Sequence, residues 1–200
     1  MSDQREIATL AGGCFWCIEA VFELVRGVEK VESGYIGGHV VNASYEAVCT
    51  GNTGHAEACQ LTFDPEVVSY RALLDLFFTS HDPTTLNRQG GDVGPQYRSA
   101  IFYHSPEQKE TAEAVIADLT AEGVWGGPIV TEITPFDAFY AAKQDHQGYY
   151  QSNGGQRYCQ IVIDPKVRKL REKFAHKLKN PWLLFGVATI LLLLMIVFFI

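Results

Sequence analysis

The period of the apolar positions changes several times along the chain, and each change marks an element. Residues 7–10 are a short apolar run that ends at Gly12-Gly13. From there Phe15, Ile18, Val21, Phe22 and Val25 recur with the helical period until Gly27, so a helix is expected with Cys14 at its N-terminus. Residues 60–63 read as a strand, because Cys59, Leu61 and Phe63 alternate, which also assigns Cys59 to the core. Asp64-Pro65 then turns the chain into a helix carrying Tyr70, Leu73, Leu74 and Phe77. Residues 99–103 form a further expected strand, and Ser105-Pro106 supplies the N-cap and first residue of a helix with Ala112, Val115, Ile116 and Leu119 inside. Residues 129–134 and 159–163 complete the expected strands, and Asp164-Pro165 opens a basic helix.

Strands interleaved with helices indicate an α/β class, in the form of an α+β layered sandwich with a mixed central sheet, flanking helices and long ordered loops. The loops are residues 82–96 and 145–157, polar stretches without periodicity whose length points to function. Residues 181–200 (PWLLFGVATILLLLMIVFFI) carry no charge, and as a helix they would span ~30 Å, the thickness of a bilayer core. A C-terminal transmembrane helix or an appended apolar segment is expected there, after a main domain at residues 1–179, with Trp182 at the interface.

Composition narrows the class. With 47% hydrophobic and 20% charged residues in 200, the chain fits one globular domain, and disorder, collagen and small disulfide scaffolds are excluded. The net charge of -7 conceals an asymmetry: residues 166–179 hold seven basic residues against Glu172 alone. The remaining 9 basic and 22 acidic residues give residues 1–165 a charge of -13, which excludes nucleic acid as a partner of the main domain. The basic cluster just before the apolar run places the main domain on the cytoplasmic side, anchored if that segment is native. Residues 1–6 are polar and charged, so no N-terminal signal is expected.

Cys14, Cys17, Cys49, Cys59 and Cys159 are an odd number in a chain without a secretory signal, which favours free thiols with redox use over structural disulfides. No second Cys pair or His pair stands at ligand spacing, so neither a metal nor another cofactor is expected. A thiol in the first turn of a helix faces oriented N–H groups that stabilise the thiolate, which makes Cys14 the candidate nucleophile. Two glycines before it and Phe15 and Trp16 after it suggest a shaped site. Two further strings, residues 51–57 (GNTGHAE) and 89–99 (QGGDVGPQYRS), mix turn glycines with acid, amide and phenol groups.

Together, GCFW at residues 13–16, TGHAE at 53–57, HDPTTLNRQ at 81–89, DVGPQYRS at 92–99 and Asp145-His146-Gln147 resemble the A-type peptide methionine sulfoxide reductases, over about residues 6–175. The resemblance makes residues 1–179 a catalytic domain that reduces methionine-S-sulfoxide, in proteins or free, with thiols. It implies that Cys14 attacks the sulfoxide sulfur and becomes a sulfenic acid, while Glu57 gives the oxygen a proton. Tyr45 and Tyr97 match the phenols that hydrogen-bond that oxygen. Phe15 and Trp16 match the cage for the methyl group, and Asp92 and His146 match supporting polar positions. Cys159 matches the resolving position and would swing in on Gly154-Gly155. Cys17 is the backup or relay, because a residue three positions on was expected to point partly away from an N-terminal thiolate. Cys49 reads as a small buried residue. Thioredoxin would then reduce the disulfide. Two other functions remain open on the residues alone. One is a general Cys-x-x-Cys thiol-disulfide oxidoreductase, since Trp16 and the Cys14/Cys17 spacing echo thioredoxin. The other is a membrane-anchored module that only binds methionine or its sulfoxide and shows no turnover.

Overall fold

The computed structural model describes residues 5–179. Strand β1 (Glu6–Gly12) ends at the glycine pair and helix α1 (Phe15–Phe22) follows directly, with Cys14 as its N-cap residue. The helix stops before the apolar period does, because the far end of the chain captures the backbone of residues 24–26. The Arg26 N–H donates to the Lys177 carbonyl (2.8 Å) and the Lys179 N–H to the Leu24 carbonyl (2.9 Å). Next come β2 (Val28–Ile36), a short α2 (Tyr45–Cys49), β3 (Ala56–Phe63) and α3 (Tyr70–Ser80). The two-residue strands β4 (Arg88–Gln89) and β5 (Asp92–Val93) pair inside the first polar loop. Then follow β6 (Ser99–Tyr103), α4 (Pro106–Ala121), β7 (Glu132–Pro135), β8 (Phe139–Ala141), α5 (Tyr149–Asn153) and α6 (Asp164–Phe174). Ser105 caps α4 by accepting from the Gln108 N–H at 3.3 Å, with Pro106 in the first turn.

The main sheet has the order β7-β6-β1-β3-β2-β8, with β6 and β7 parallel and every other neighbour pair antiparallel. This is the mixed sheet with flanking helices that the interleaved pattern implies. Its two faces differ. On one, Ala11, Ile36, Ala56, Ala58, Ala100 and Phe102 make a small apolar layer under Phe136 and Phe139. On the other, Leu10, Cys59, Leu61 and Phe63 pack against Phe15, Ile18 and Phe22 of α1 and Leu73, Leu74 and Phe77 of α3. Glu57 lies two residues before Cys59 on β3, so strand alternation turns it to the larger face, where it is 1% exposed. The Cys59 thiol is buried as the alternation requires.

Several expectations are corrected. Residues 159–163 form a π-helical turn, Cys159–Ile163, running straight into α6. Among the described residues no strand pairs with them, and Pro165 cannot donate to the carbonyl four residues back, which a wider turn before it accommodates. The strand expected at residues 129–134 begins only at Glu132, where pairing with β6 starts. Strand β2 carries no clean alternation, because a register shift between Val28 and Lys30 interrupts it. Gly34 adds to this: a Cβ there would lie 2.4 Å from Phe139 Cζ and 2.5 Å from the Tyr140 carbonyl of β8. Cys49 is exposed at the end of α2 instead of buried. The membrane-spanning segment expected at residues 181–200 lies outside the described residues. Among the described residues no helix is long and apolar enough to cross a membrane.

Candidate active site

The site is built on the turn from β1 into α1. Gly13 has φ +95°, and a Cβ there would stand 2.5 Å from Gln89 Cγ; one on Gly12 would stand 2.8 Å from Phe77 Cε2. Both glycines are therefore required, one for the left-handed turn and both for close approach. Gln89 is itself fixed, its amide accepting from the Asp82 N–H (3.1 Å) and donating to the Asp82 carbonyl (3.0 Å). Below Gly12, the buried His81 contacts the Phe77 carbonyl (2.7 Å) and Ser99 Oγ (2.8 Å), and burial pushes its pKa down to about 4. A neutral imidazole thus props the turn.

Cys14 is 6% exposed and Cys17 1% exposed, and their thiols hydrogen-bond each other. Cys17 therefore does not point away from Cys14: an N-cap and the third helical residue share one side of the first turn. The helix-terminus argument predicts a lowered pKa at Cys14, but its burial raises the pKa well above that of a free thiol, with Cys17 and Glu57 adding to the rise. The hydrogen bond from Cys14 lowers Cys17 to about 7, aided by Lys166. The two sulfurs thus behave as one dithiol that loses its first proton near neutrality.

Glu57 Oε2 accepts the Phe15 N–H at 3.1 Å, and Oε1 has no hydrogen-bond partner among the described residues. Burial lifts this carboxyl to about 8, with the charge of Asp92 contributing. It is a neutral acid at pH 7, one residue from Cys14 in the chain of contacts.

Around these groups the aromatic rings close. Phe15 stacks on Tyr45 (6.4 Å, 17°) and leans on Tyr35 (5.7 Å) and His146 (5.8 Å). Trp16 lies flat on Tyr149 (3.6 Å, 7°), and His146 sits between Trp16 (5.7 Å) and Tyr45 (4.4 Å). Trp16 Nε1, Tyr35 Oη and His146 Nδ1 are buried and, like Glu57 Oε1, lack partners among the described residues. Polar atoms in an apolar cage suit a small ligand with an apolar body and one polar atom. Burial raises the phenols of Tyr45 and Tyr97 above the usual tyrosine range, so both are O–H donors. The Tyr45 hydroxyl also hydrogen-bonds Cys49.

Of the residues named from sequence, Cys14, Cys17, Phe15, Trp16, Tyr45, Glu57 and His146 meet here, and Tyr97 and Asp92 lie close enough for the Glu57 charge to act with them. Asp92 Oδ2 accepts the Tyr158 hydroxyl at 2.8 Å, and that oxygen is 3.9 Å from Cys17 Sγ. Cys159 is fully buried in the π-helical turn next to Tyr158. Sequence reasoning missed Tyr35, Tyr149 and Tyr158. Tyr149 lies in the loop singled out as functional and Tyr158 directly after it, whereas Tyr35 lies on the unrecognised strand β2. His55 of the TGHAE string serves the backbone, contacting the Gly38 N–H (3.1 Å) and the Val40 carbonyl (2.7 Å). Among the described residues no three His, Cys, Asp or Glu side chains are grouped to hold a metal.

Comparison with known proteins gives the same reading. The family profile "Peptide methionine sulfoxide reductase" matches residues 6–178. A relative from Deinococcus radiodurans, described as "Peptide methionine sulfoxide reductase MsrA", is 59% identical over 175 residues, 88% of this chain and 85% of the relative. Reduced Mxr1 from Saccharomyces cerevisiae matches with a TM-score of 0.73 at 34% identity, covering 80% of this chain and 91% of Mxr1. Mxr1 in complex with Trx2 matches with a TM-score of 0.51 at 27% identity, covering 74% and 87%. With the match running from the start of β1 to the end of the described domain, the chain belongs to the peptide methionine sulfoxide reductase family.

Proposed function

We propose that this oxidoreductase reduces methionine-S-sulfoxide at Cys14, with Glu57 as the acid and the ring cage as the binding site. The observation that carries the reading is the buried carboxyl of Glu57, bonded to the Phe15 N–H beside the dithiol. Removing oxygen from sulfur requires a nucleophile at sulfur and a proton at oxygen in one dry pocket. Cys14 passes its proton to the Cys17 thiolate to which it is hydrogen-bonded and attacks the sulfoxide sulfur, while the Glu57 O–H protonates the oxygen. The oxygen takes a second proton and leaves as water as the S–O bond breaks. Water then adds to Cys14 Sγ, the new S–S bond breaks, methionine leaves with its electron pair, and Cys14 is left oxidised as a sulfenic acid. Tyr45 and Tyr97 donate to the oxygen, and Phe15 and Trp16 hold the methyl group, with His146 and Asp92 behind them. A general dithiol exchanger has no use for such a cage or for a neutral acid.

Cys14→Ser should abolish turnover with any reductant, since a hydroxyl supplies no thiolate at neutral pH. The single-turnover rate should rise with pH as the dithiol ionises near 7, and fall again as Glu57 loses its proton near 8. Glu57→Gln should lower the rate roughly 10²-fold and remove the alkaline limb. Parent-like rates and an intact alkaline limb in that variant would assign the proton to another group.

For the second step the geometry favours Cys17. It already touches Cys14, and a thiol with a pKa near ambient pH is the best attacking group. Its attack on the sulfenic acid gives a Cys14–Cys17 disulfide and water. Cys159 then serves as the next exchange thiol, once the turn around it opens. The relative's complex with Trx2 supports thioredoxin as the final dithiol reductant. Peptide mapping after one oxidant turnover should find Cys14 joined to Cys17. Cys17→Ser should keep dithiothreitol-driven activity, because that reagent reduces a sulfenic acid directly, and lose most thioredoxin-driven activity. A first disulfide between Cys14 and Cys159, with Cys17→Ser matching the parent, would reverse the order.

Tethering through residues 181–200 is carried by their composition alone. The whole chain should sediment with membranes, and a chain ending at Asn180 should stay in the aqueous fraction with full activity. Recovery of the whole chain in the aqueous fraction without detergent would remove the tether.

A further inference from the structure

One wall of the cage, His146 and Tyr149, arrives from about 130 residues beyond α1 in sequence, and an acid inside the core holds it there. Glu19 is only 1% exposed, on the buried side of α1. Its Oε1 accepts the Gly148 N–H (3.0 Å), its Oε2 accepts the Tyr149 N–H (3.1 Å), and the Ser33 hydroxyl also bonds it. The preceding residue is clasped from the other side. The Gln147 amide accepts from the Ser33 N–H (2.9 Å) and donates to the Ser33 (2.8 Å) and Ala142 (3.0 Å) carbonyls, as a neighbouring strand would. Gly148 turns between the two holds at φ +59°.

The held segment is not core, since residues 146–149 are all only half-buried. A buried carboxyl costs stability unless every lone pair it presents is used, and here both oxygens are directed at a surface turn. What that turn displays is the pair of rings on Trp16: Tyr149 at 3.6 Å and His146 at 5.7 Å, both close to parallel with the indole. We infer that Glu19, assisted by Gln147, is a positioning residue for the substrate cage, fixing residues 147–149 so that Tyr149 and His146 hold Trp16 in place. The inference rests on the cage assignment made above. It does not place Glu19 in contact with substrate, and it leaves the reacting groups Cys14 and Glu57 to act as before.

The test is single-turnover reduction of a methionine-S-sulfoxide peptide by the full chain, in parent, Glu19→Ala, Glu19→Gln and Trp16→Ala forms, read as a half-saturating concentration and a saturating rate. Loss of the clasp should raise the half-saturating concentration of Glu19→Ala roughly tenfold while leaving the saturating rate within about twofold. Glu19→Gln keeps the shape and one acceptor, so roughly threefold is expected, and this variant decides the matter if the alanine form does not fold. With Trp125 and Trp182 replaced by Phe, the emission of Trp16 should shift to the red in both Glu19 variants as the ring leaves Tyr149. Parent-like half-saturation in the Glu19 variants, or a fall in saturating rate alone, would overturn the inference while the cage stands. A Trp16→Ala form that binds like the parent would overturn the cage, and the inference with it.

Discussion

The hydrogen bond from the Phe15 N–H to Glu57 joins the first turn of α1 to the inward face of β3, and it does so where water has been excluded. Loss of water around the carboxyl controls its chemistry. It raises Glu57 from 4.5 to about 8, equivalent to about 5 kcal/mol in favour of the neutral acid. The same burial opposes ionisation of Cys14, so the first negative charge of the dithiol falls to Cys17, at about 7. An acid that keeps its proton beside a dithiol that gives one up is the arrangement oxygen removal from sulfur needs. It exists because both groups stand at positions that an ordinary domain fills with hydrocarbon.

That placement has a structural cost, visible as buried polar atoms on Glu57, Trp16, Tyr35 and His146 that lack partners among the described residues. Such atoms destabilise a fold by about 1–3 kcal/mol each. They are tolerated because the surrounding scaffold is over-determined. The glycine turn is packed against Gln89 and His81, and the Cys59 thiol donates to the Phe15 carbonyl at 3.4 Å while Glu57 takes the N–H of the same residue. Phe15 is thus gripped at both ends of its backbone from one strand, which sets the start of α1 and the position of Cys14.

Much of this was legible in the sequence. The alternation of Cys59, Leu61 and Phe63, extended back by two residues, turns Glu57 inward, and the glycines, cysteine and aromatics of residues 12–17 announce the turn. Cys14 at a helix N-terminus is legible in the sequence, but its closeness to Cys17 depends on the N-cap geometry, which places the Cys14 thiol over the first turn and which residue spacing alone leaves open. The effect of the helix terminus on Cys14 was overestimated for a related reason: a sequence shows the helix start and not the burial that outweighs it. Strand β2, and with it Tyr35, was hidden by the shift after Val28 and by Gly34. The stretch Cys159–Ile163 has strand composition, but it runs straight into α6 and pairs with no described strand, which only the assembled fold shows.

The central claim is that burial keeps Glu57 protonated in the resting enzyme, and infrared difference spectroscopy of the reduced chain tests it directly, with Glu57→Gln used to assign the carboxylic acid C=O band. The account predicts a band from protonated Glu57 at pH 7 that disappears with a midpoint of about 8. A Glu57 that has already lost that band at pH 6, titrating in the ordinary carboxylate range, would contradict it.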